Sequence, residues 1–90
     1  MSAPAFLRRL RDLAADSKNV FITNHARRRM VQRRHTDEDV RGALLRGIVS
    51  EGPFLNDKGH WQATIYRTHA DQEITVVAAL DDDVIVITVI

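Results

Sequence analysis

Cysteine is absent from this 90-residue chain, which excludes disulfides and thiolate metal sites and is compatible with a reducing cytoplasm. The first thirty residues have no uninterrupted apolar stretch, because Arg8, Arg9, Arg11 and Asp12 break the one candidate. Neither a signal peptide nor a membrane span is therefore expected, and the expected location is cytoplasmic. No glycine-rich phosphate loop and no Ser-His-Asp arrangement can be read. His35, His60 and His69 are scattered without His-x-x-x-His spacing, so no metal site and no cofactor are expected. Internal repeats, low-complexity tracts and linkers are also missing. A large excess of one charge is lacking too: the net charge is +1, whereas a wholly nonspecific nucleic-acid binder is usually more basic.

What is present fits an ordinary globular domain. Hydrophobic residues make up 44% and charged residues 28% of the chain, within the range of a single domain, 1–90, that must assemble its core economically. The charge is divided along the chain. Residues 1–34 carry nine Lys and Arg against two Asp and Glu, a balance of +7, while residues 35–90 carry four against ten, a balance of −6. Such polarity suggests either a positive face for a polyanion or an internal match between helix and sheet.

The basic half culminates in Asn24-His25-Ala26-Arg27-Arg28-Arg29-Met30-Val31-Gln32-Arg33-Arg34. On a helix, His25, Arg29 and Arg33 fall in one row at steps of four, with Ala26 and Met30 beside them to seat the helix on a core. Like charges four apart repel, so acidic side chains or an anionic partner must compensate. A solvated cationic face is the plain alternative.

In chain order, Ser2 before Ala3-Pro4 opens a helix. Phe6, Leu7, Leu10, Leu13 and Ala14 recur with helical spacing, so residues 1–17 are expected to form an amphipathic packing helix. Residues 20–90 are expected to form the rest of an α+β core. Val20-Phe21-Ile22 reads as a short edge strand. Thr23 or Asn24 caps a helix over 24–34. Thr36, with Asp39 three positions later, caps a third helix that Gly47 stops. From Ile48 the period shifts to two. Gly52-Pro53 restricts the first strand to an edge or a bulge. In His60–Thr68, Trp61, Ala63 and Ile65 face one way and Gln62, Thr64, Tyr66 and Thr68 the other. The near-continuous runs Ile74–Leu80 and Val84–Ile90 read as central strands. The expected fold is α+β, with N-terminal helices packed on a three- to four-stranded antiparallel sheet.

Three parts of the sequence resemble the domain-of-unknown-function family numbered 4258: His25-Ala26-x-x-Arg29-Met30-x-x-Arg33, the helix from Thr36 to Gly47, and the closing Val86-Ile87-Thr88-Val89. The resemblance spans roughly residues 21–90 and leaves the first helix outside. That family is similar to a distant branch of the RelE/ParE-like toxin and barnase-like nuclease fold group. The resemblance implies RNA cleavage without a metal, or a relic of it, often in phage-derived or mobile genes of the toxin-antitoxin kind. Relatives often have Gly-Ile after the second arginine and an aromatic at the end of the last strand. Here those positions hold Arg34-His35 and Ile90.

Cleaving RNA without metal needs a base for the 2′-hydroxyl proton, an acid for the leaving 5′-oxygen and cations for the phosphorane charge. Imidazole, with an unperturbed pKa of about 6.5, suits the first two tasks. Guanidinium forks suit the third. The candidate catalytic residues are accordingly His25, Arg29, Arg33 and Tyr66, with His60 and Thr88 as further groups that complete the patch. Arg27, Arg28, Arg34 and Arg67 are candidates for holding nucleic acid. Each has a plainer reading: His25 as a cap or a partner of a strand carbonyl, Arg29 and Arg33 as partners of the acids in the second half, Tyr66 as half-buried packing. Trp61 reads as core or interface ahead of a base-stacking platform. The expected partners are RNA or the ribosome, or an antitoxin or other protein. The competing function is a non-catalytic protein-binding regulator from a phage or mobile element.

Overall fold

The computed structural model describes residues 1–90. Its elements are α1 (Ala3–Ala14), a single 3-10 turn (Ser17–Asn19), β1 (Val20–Ile22), α2 (Asn24–Arg33), α3 (Asp37–Arg46), β2 (Ile48–Leu55), β3 (Trp61–His69), β4 (Gln72–Leu80) and β5 (Val84–Val89).

Each helix begins where a side-chain oxygen can take an orphan N–H. Ser2 Oγ accepts from Ala5 N–H at 3.2 Å, and Thr23 Oγ1 accepts from Ala26 N–H at 3.0 Å. Thr36 and Asp39 form a reciprocal capping box, with bonds of 3.1 and 2.9 Å, which satisfies two orphan donors at once. Helix α3 ends at Gly47, but not through a left-handed cap: its φ is −76° and ψ 176°. Glycine is needed there for close approach, since a Cβ would run into Ala43 O, the Ile65 side chain and Tyr66 O. Helix α2 ends differently, on Arg34 with φ 61°.

The sheet corrects the sequence expectation of three to four antiparallel strands. It has five, in the order β1-β5-β4-β3-β2, and it is mixed. Strands β2 to β5 form the antiparallel meander, while β1 pairs in parallel with β5 through Val20↔Val84, Phe21↔Ile85 and Ile22↔Val86. Strands β4 and β5 are interior, as their β-branched runs suggest. Strand β2 is an edge whose pairing with β3 shifts register on both sides of Glu51, around the cis Gly52-Pro53 bond.

Register sorts the side chains into two faces. Ala63, Ile65, Val76, Ala78, Val86 and Val89 share one face and are fully buried. Phe6, Leu10 and Ala14 of α1 and Val40, Ala43 and Leu44 of α3 close the core over them. Trp61 packs against this core, half-buried. Arg11 Nη2 donates to Gly47 O at 2.8 Å and ties α1 to the α3–β2 junction. The opposite face carries Thr64, Tyr66, Thr75, Val77 and Thr88, and all of them are half-buried rather than sealed.

Helix α2 lies along a sheet edge. Strand β1 stops at Ile22, so the rest of β5 has no strand neighbour on that side. Side chains and backbone of α2 and its cap replace the missing strand. Thr23 N–H donates to Val86 O at 3.2 Å, Thr23 Oγ1 to Ile87 O at 3.0 Å, and Arg29 Nε to Val89 O at 3.1 Å. A bare β5 edge would leave unpaired carbonyls. Ala26 and Met30 meanwhile turn into the core, 0% and 4% exposed.

Candidate functional site

The row expected on α2 is present and open. His25, in the first turn, is exposed, and its Nε2 lies 2.9 Å from Thr88 Oγ1. Thr88 Oγ1 is also 3.4 Å from Val89 O, the carbonyl that accepts from Arg29 Nε. His25 and Arg29 are thus joined through one residue pair of β5, Arg29 directly and His25 by way of a hydroxyl. The Thr88 hydroxyl has a single proton. When that proton goes to Val89 O, Oγ1 accepts from His25 Nε2–H, and Nδ1 is left with a free lone pair. When it goes to Nε2, the other ring nitrogen carries the hydrogen.

Arg29 is half-buried and largely committed: besides Val89 O, its Nη1 donates to Gln32 Oε1 at 3.2 Å. Arg33, one turn on, is exposed and bonds no other group, and the same holds for Arg28 and Arg34. Arg27 is different. Its Nη1 sits 2.7 Å from Asp37 Oδ1. The chain's other ion pairs are Lys18–Asp16, His35–Asp39 and His60–Asp81. Of the five arginines of α2 and its cap, only Arg27 is neutralised by a carboxylate of the second half.

Tyr66 shares the open face with Thr88. Tyr66 pairs with Thr75 and Thr88 with Val77, so the two residues lie two strands and two positions apart, on the order of 12 Å between backbones. The phenol donates to Glu73 Oε1 at 2.9 Å. That hydrogen bond, then desolvation, then the carboxylate's charge raise the Tyr66 pKa above 10.0. Tyr66 therefore keeps its proton at neutral pH and is a donor, never a base. Glu73 was not singled out from the sequence. It pairs with Thr68, diagonal to Tyr66, and that place depends on the β3–β4 hairpin, whose central residues Ala70 and Asp71 both have positive φ.

Two expectations do not come together. His60 lies 3.7 Å from Asp81 at the β4–β5 turn, the far end of β5 from Thr88, and does not complete the patch. Arg67 continues the Trp61, Ala63, Ile65 alternation onto the helix-covered face, where its guanidinium rests against Gly42 of α3. It is separated by the sheet from Tyr66. No group of three or more His, Asp or Glu side chains is gathered for a metal ion, and no helix is long and apolar enough to cross a membrane.

The class defined by this geometry is an α+β domain whose arginine-bearing helix closes the edge of a mixed sheet. Residues 22–90 match the family described as Domain of unknown function (DUF4258), and the chain belongs to that family. Helix α1 and β1's first two residues lie outside the match. No curated protein and no solved structure matches the chain.

Proposed function

We propose that this domain is a toxin-type RNA-binding protein of RelE-like fold that cleaves RNA without a metal. The observation that carries the reading is the state of the α2 row: His25 is exposed, and neither Arg29 nor Arg33 is paired with a carboxylate. In this reading His25 moves the proton of the attacking 2′-hydroxyl. Arg33 binds the phosphate as a free fork, Arg28 and Arg34 hold flanking phosphates, and Arg29 fixes the edge on which the others stand. Tyr66, kept protonated by Glu73, is the proton donor available on the same face. In this reading a nucleotide would span the open face between Thr88 and Tyr66, whose backbones are on the order of 12 Å apart.

The test is cleavage of RNA, with and without ribosomes, by wild type, His25→Ala and Arg33→Ala. Loss of a general acid–base group lowers the rate by about 10²–10⁴-fold. Equal cleavage by wild type and His25→Ala removes the catalytic assignment.

A second reading, a non-catalytic protein-binding regulator, is favoured by apolar side chains on the uncovered face. Phe21, Ile48 and Phe54 are 61%, 62% and 46% exposed, and register places all three on the Tyr66 side of the sheet. Stoichiometric capture of one protein, unaffected by His25→Ala and lost in Phe54→Asp, supports it over cleavage.

A further inference from the structure

A cleft of about 410 Å³ opens between α3 and the β3–β4 hairpin, on the helix-covered side of the sheet. Arg67 lines it, with its guanidinium against α3. Gly42, in the middle of α3, makes room for the guanidinium, since a Cβ there would run into Arg67 Nη1. Glycine inside a helix is about 1 kcal/mol less favourable than alanine. At position 42 that penalty accompanies a seat for arginine. Arg46, one turn on, lines the same wall, and His69 follows Arg67 on the same face of β3.

These two arginines have no protein partner. The guanidiniums that do bond protein groups belong to Arg11, Arg27, Arg29 and Arg41. Arg41 lines the cleft but is drawn toward α1, where its Nη2 donates to Ala15 O at 2.7 Å. The cleft's acids do not cancel Arg46 and Arg67. Asp39 is held by the capping box and stands 3.8 Å from His35 Nδ1. Glu38, in the first turn of α3, is exposed and pairs with no cation.

We propose that this cleft binds a phosphate monoester of nucleotide size. Two free guanidinium forks match a tetrahedral dianion better than a single carboxylate. The volume exceeds what bare phosphate fills and falls within the range of small-molecule sites, about 300–1,000 Å³. Leu45 and Ile74 are the only hydrophobic residues in the lining, and they give the body of the ligand an apolar contact beside the charged groups. Arg46 and Arg67 hold the phosphate, His69 flanks it, and Glu38 accepts hydrogen bonds from hydroxyl or amino groups at the other end. This site is independent of the RNA reading: it lies on the opposite side of the sheet from Tyr66 and uses none of the α2 row.

The experiment is calorimetric titration with adenosine 5′-monophosphate, ribose 5-phosphate and adenosine, with amide chemical shifts followed in parallel. Saturable binding of the monophosphate, absent for adenosine, with shifts at Gly42, Arg46 and Arg67, is expected. Arg67→Gln should weaken binding about tenfold, the loss of one charge-assisted contact. Gly42→Ala should weaken it as well while melting at the same or a higher temperature, because the new methyl displaces the guanidinium and favours the helix. Arg9→Gln, an exposed charge on α1, should bind as wild type does. No binding by either phosphate, equal binding by adenosine, or unchanged affinity in both cleft variants overturns the proposal. So do shifts confined to His25 and Thr88, which would place the ligand on the α2 row.

Discussion

His25 Nε2 and Thr88 Oγ1 lie 2.9 Å apart and join the first turn of α2 to the end of β5. Because Thr88 is also the residue before the carbonyl that Arg29 holds, the hydroxyl orients the imidazole against a rigid strand. Thr88→Val keeps the shape and removes the hydroxyl. It should lower RNA cleavage by about tenfold to a hundredfold through misplacement of the ring. Stability should change by no more than about 1 kcal/mol, the worth of one solvent-accessible hydrogen bond. The ring nitrogen resonances of His25 report the cause directly, since without the hydroxyl Nε2 loses its hydrogen-bond partner. Unchanged cleavage together with unchanged ring resonances would show that Thr88 does not position His25.

Arg29 and Arg33 occupy equivalent steps of one helix but should behave differently. Arg29→Ala strips a donor from Val89 O in a half-buried setting and should destabilise the domain by about 1–3 kcal/mol. Arg33→Ala removes an exposed, unpartnered charge and should stay within about 0.5 kcal/mol of wild type in denaturant unfolding. RNA affinity should follow the reverse order of cause: Arg33→Ala weakens binding on a stable fold and lowers the salt slope by about one phosphate's share, roughly 0.7–0.9. A salt slope identical to wild type would remove Arg33 from the phosphate contacts.

Arg34 is a bulky residue at φ 61°, a conformation that disfavours side chains other than glycine and asparagine. Helices commonly end on glycine in this position. Arg34→Gly should therefore raise stability by about 0.5–1 kcal/mol while reducing RNA affinity. A stability gain with no change in affinity would mean that the arginine is retained for some reason other than phosphate contact.

Much of this architecture was legible in the residues themselves. The Thr36-x-x-Asp39 box and the acidic first turn defined the start of α3 because capping chemistry is local. The interior position of β4 and β5 followed from their unbroken apolar runs. Strand β1's parallel pairing was not legible. Three residues are too few to show alternation, and the partner lies at the far end of the chain. Arg67 was readable in principle, since extending the Trp61, Ala63, Ile65 alternation by one step puts it on the helix-covered face. The polar stretch His69-Ala70-Asp71-Gln72 reads as a turn, but the Tyr66–Glu73 bond was hidden because Ala70-Asp71 lacks the Asn-Gly signature that would fix a two-residue hairpin and its register. The openness of the α2 row was also hidden, because it depends on which of ten acids in the second half approach it, and only Asp37 does.

Tyr66 is the only tyrosine in the chain, so its titration can be followed by tyrosinate absorbance without interference. Its pKa is raised in the folded protein, first by the hydrogen bond to Glu73. The sign follows from linkage: the folded state holds this proton more tightly than the unfolded chain, so the stabilisation is complete below pH 10 and is lost as pH rises through the raised value. Glu73→Gln should bring the midpoint back toward 10.0 and flatten the alkaline fall in stability. An unshifted midpoint in Glu73→Gln would show that the carboxylate is not the partner that holds the proton.

Helix α1 lies outside the residues that match the family, 22–90, yet Phe6, Leu10 and Ala14 are completely buried. Phe6 belongs to the one core cluster that joins α1 and α3 to the sheet. Phe6→Ala should therefore destabilise the whole domain by about 3–5 kcal/mol, the range for truncating a buried phenylalanine. The loss should appear as a single shifted transition rather than as fraying of one helix. Arg8→Ala, on the solvent side of α1, should change stability by less than about 0.5 kcal/mol. Since α1 covers the face that supports β5, the Phe6 variant should also loosen Val89 and the Arg29 bond, which amide exchange at Val86 and Val89 measures. Global stability within about 1 kcal/mol of wild type, with exchange faster only in residues 3–14, would make α1 an appendage instead of part of the platform that holds the α2 row.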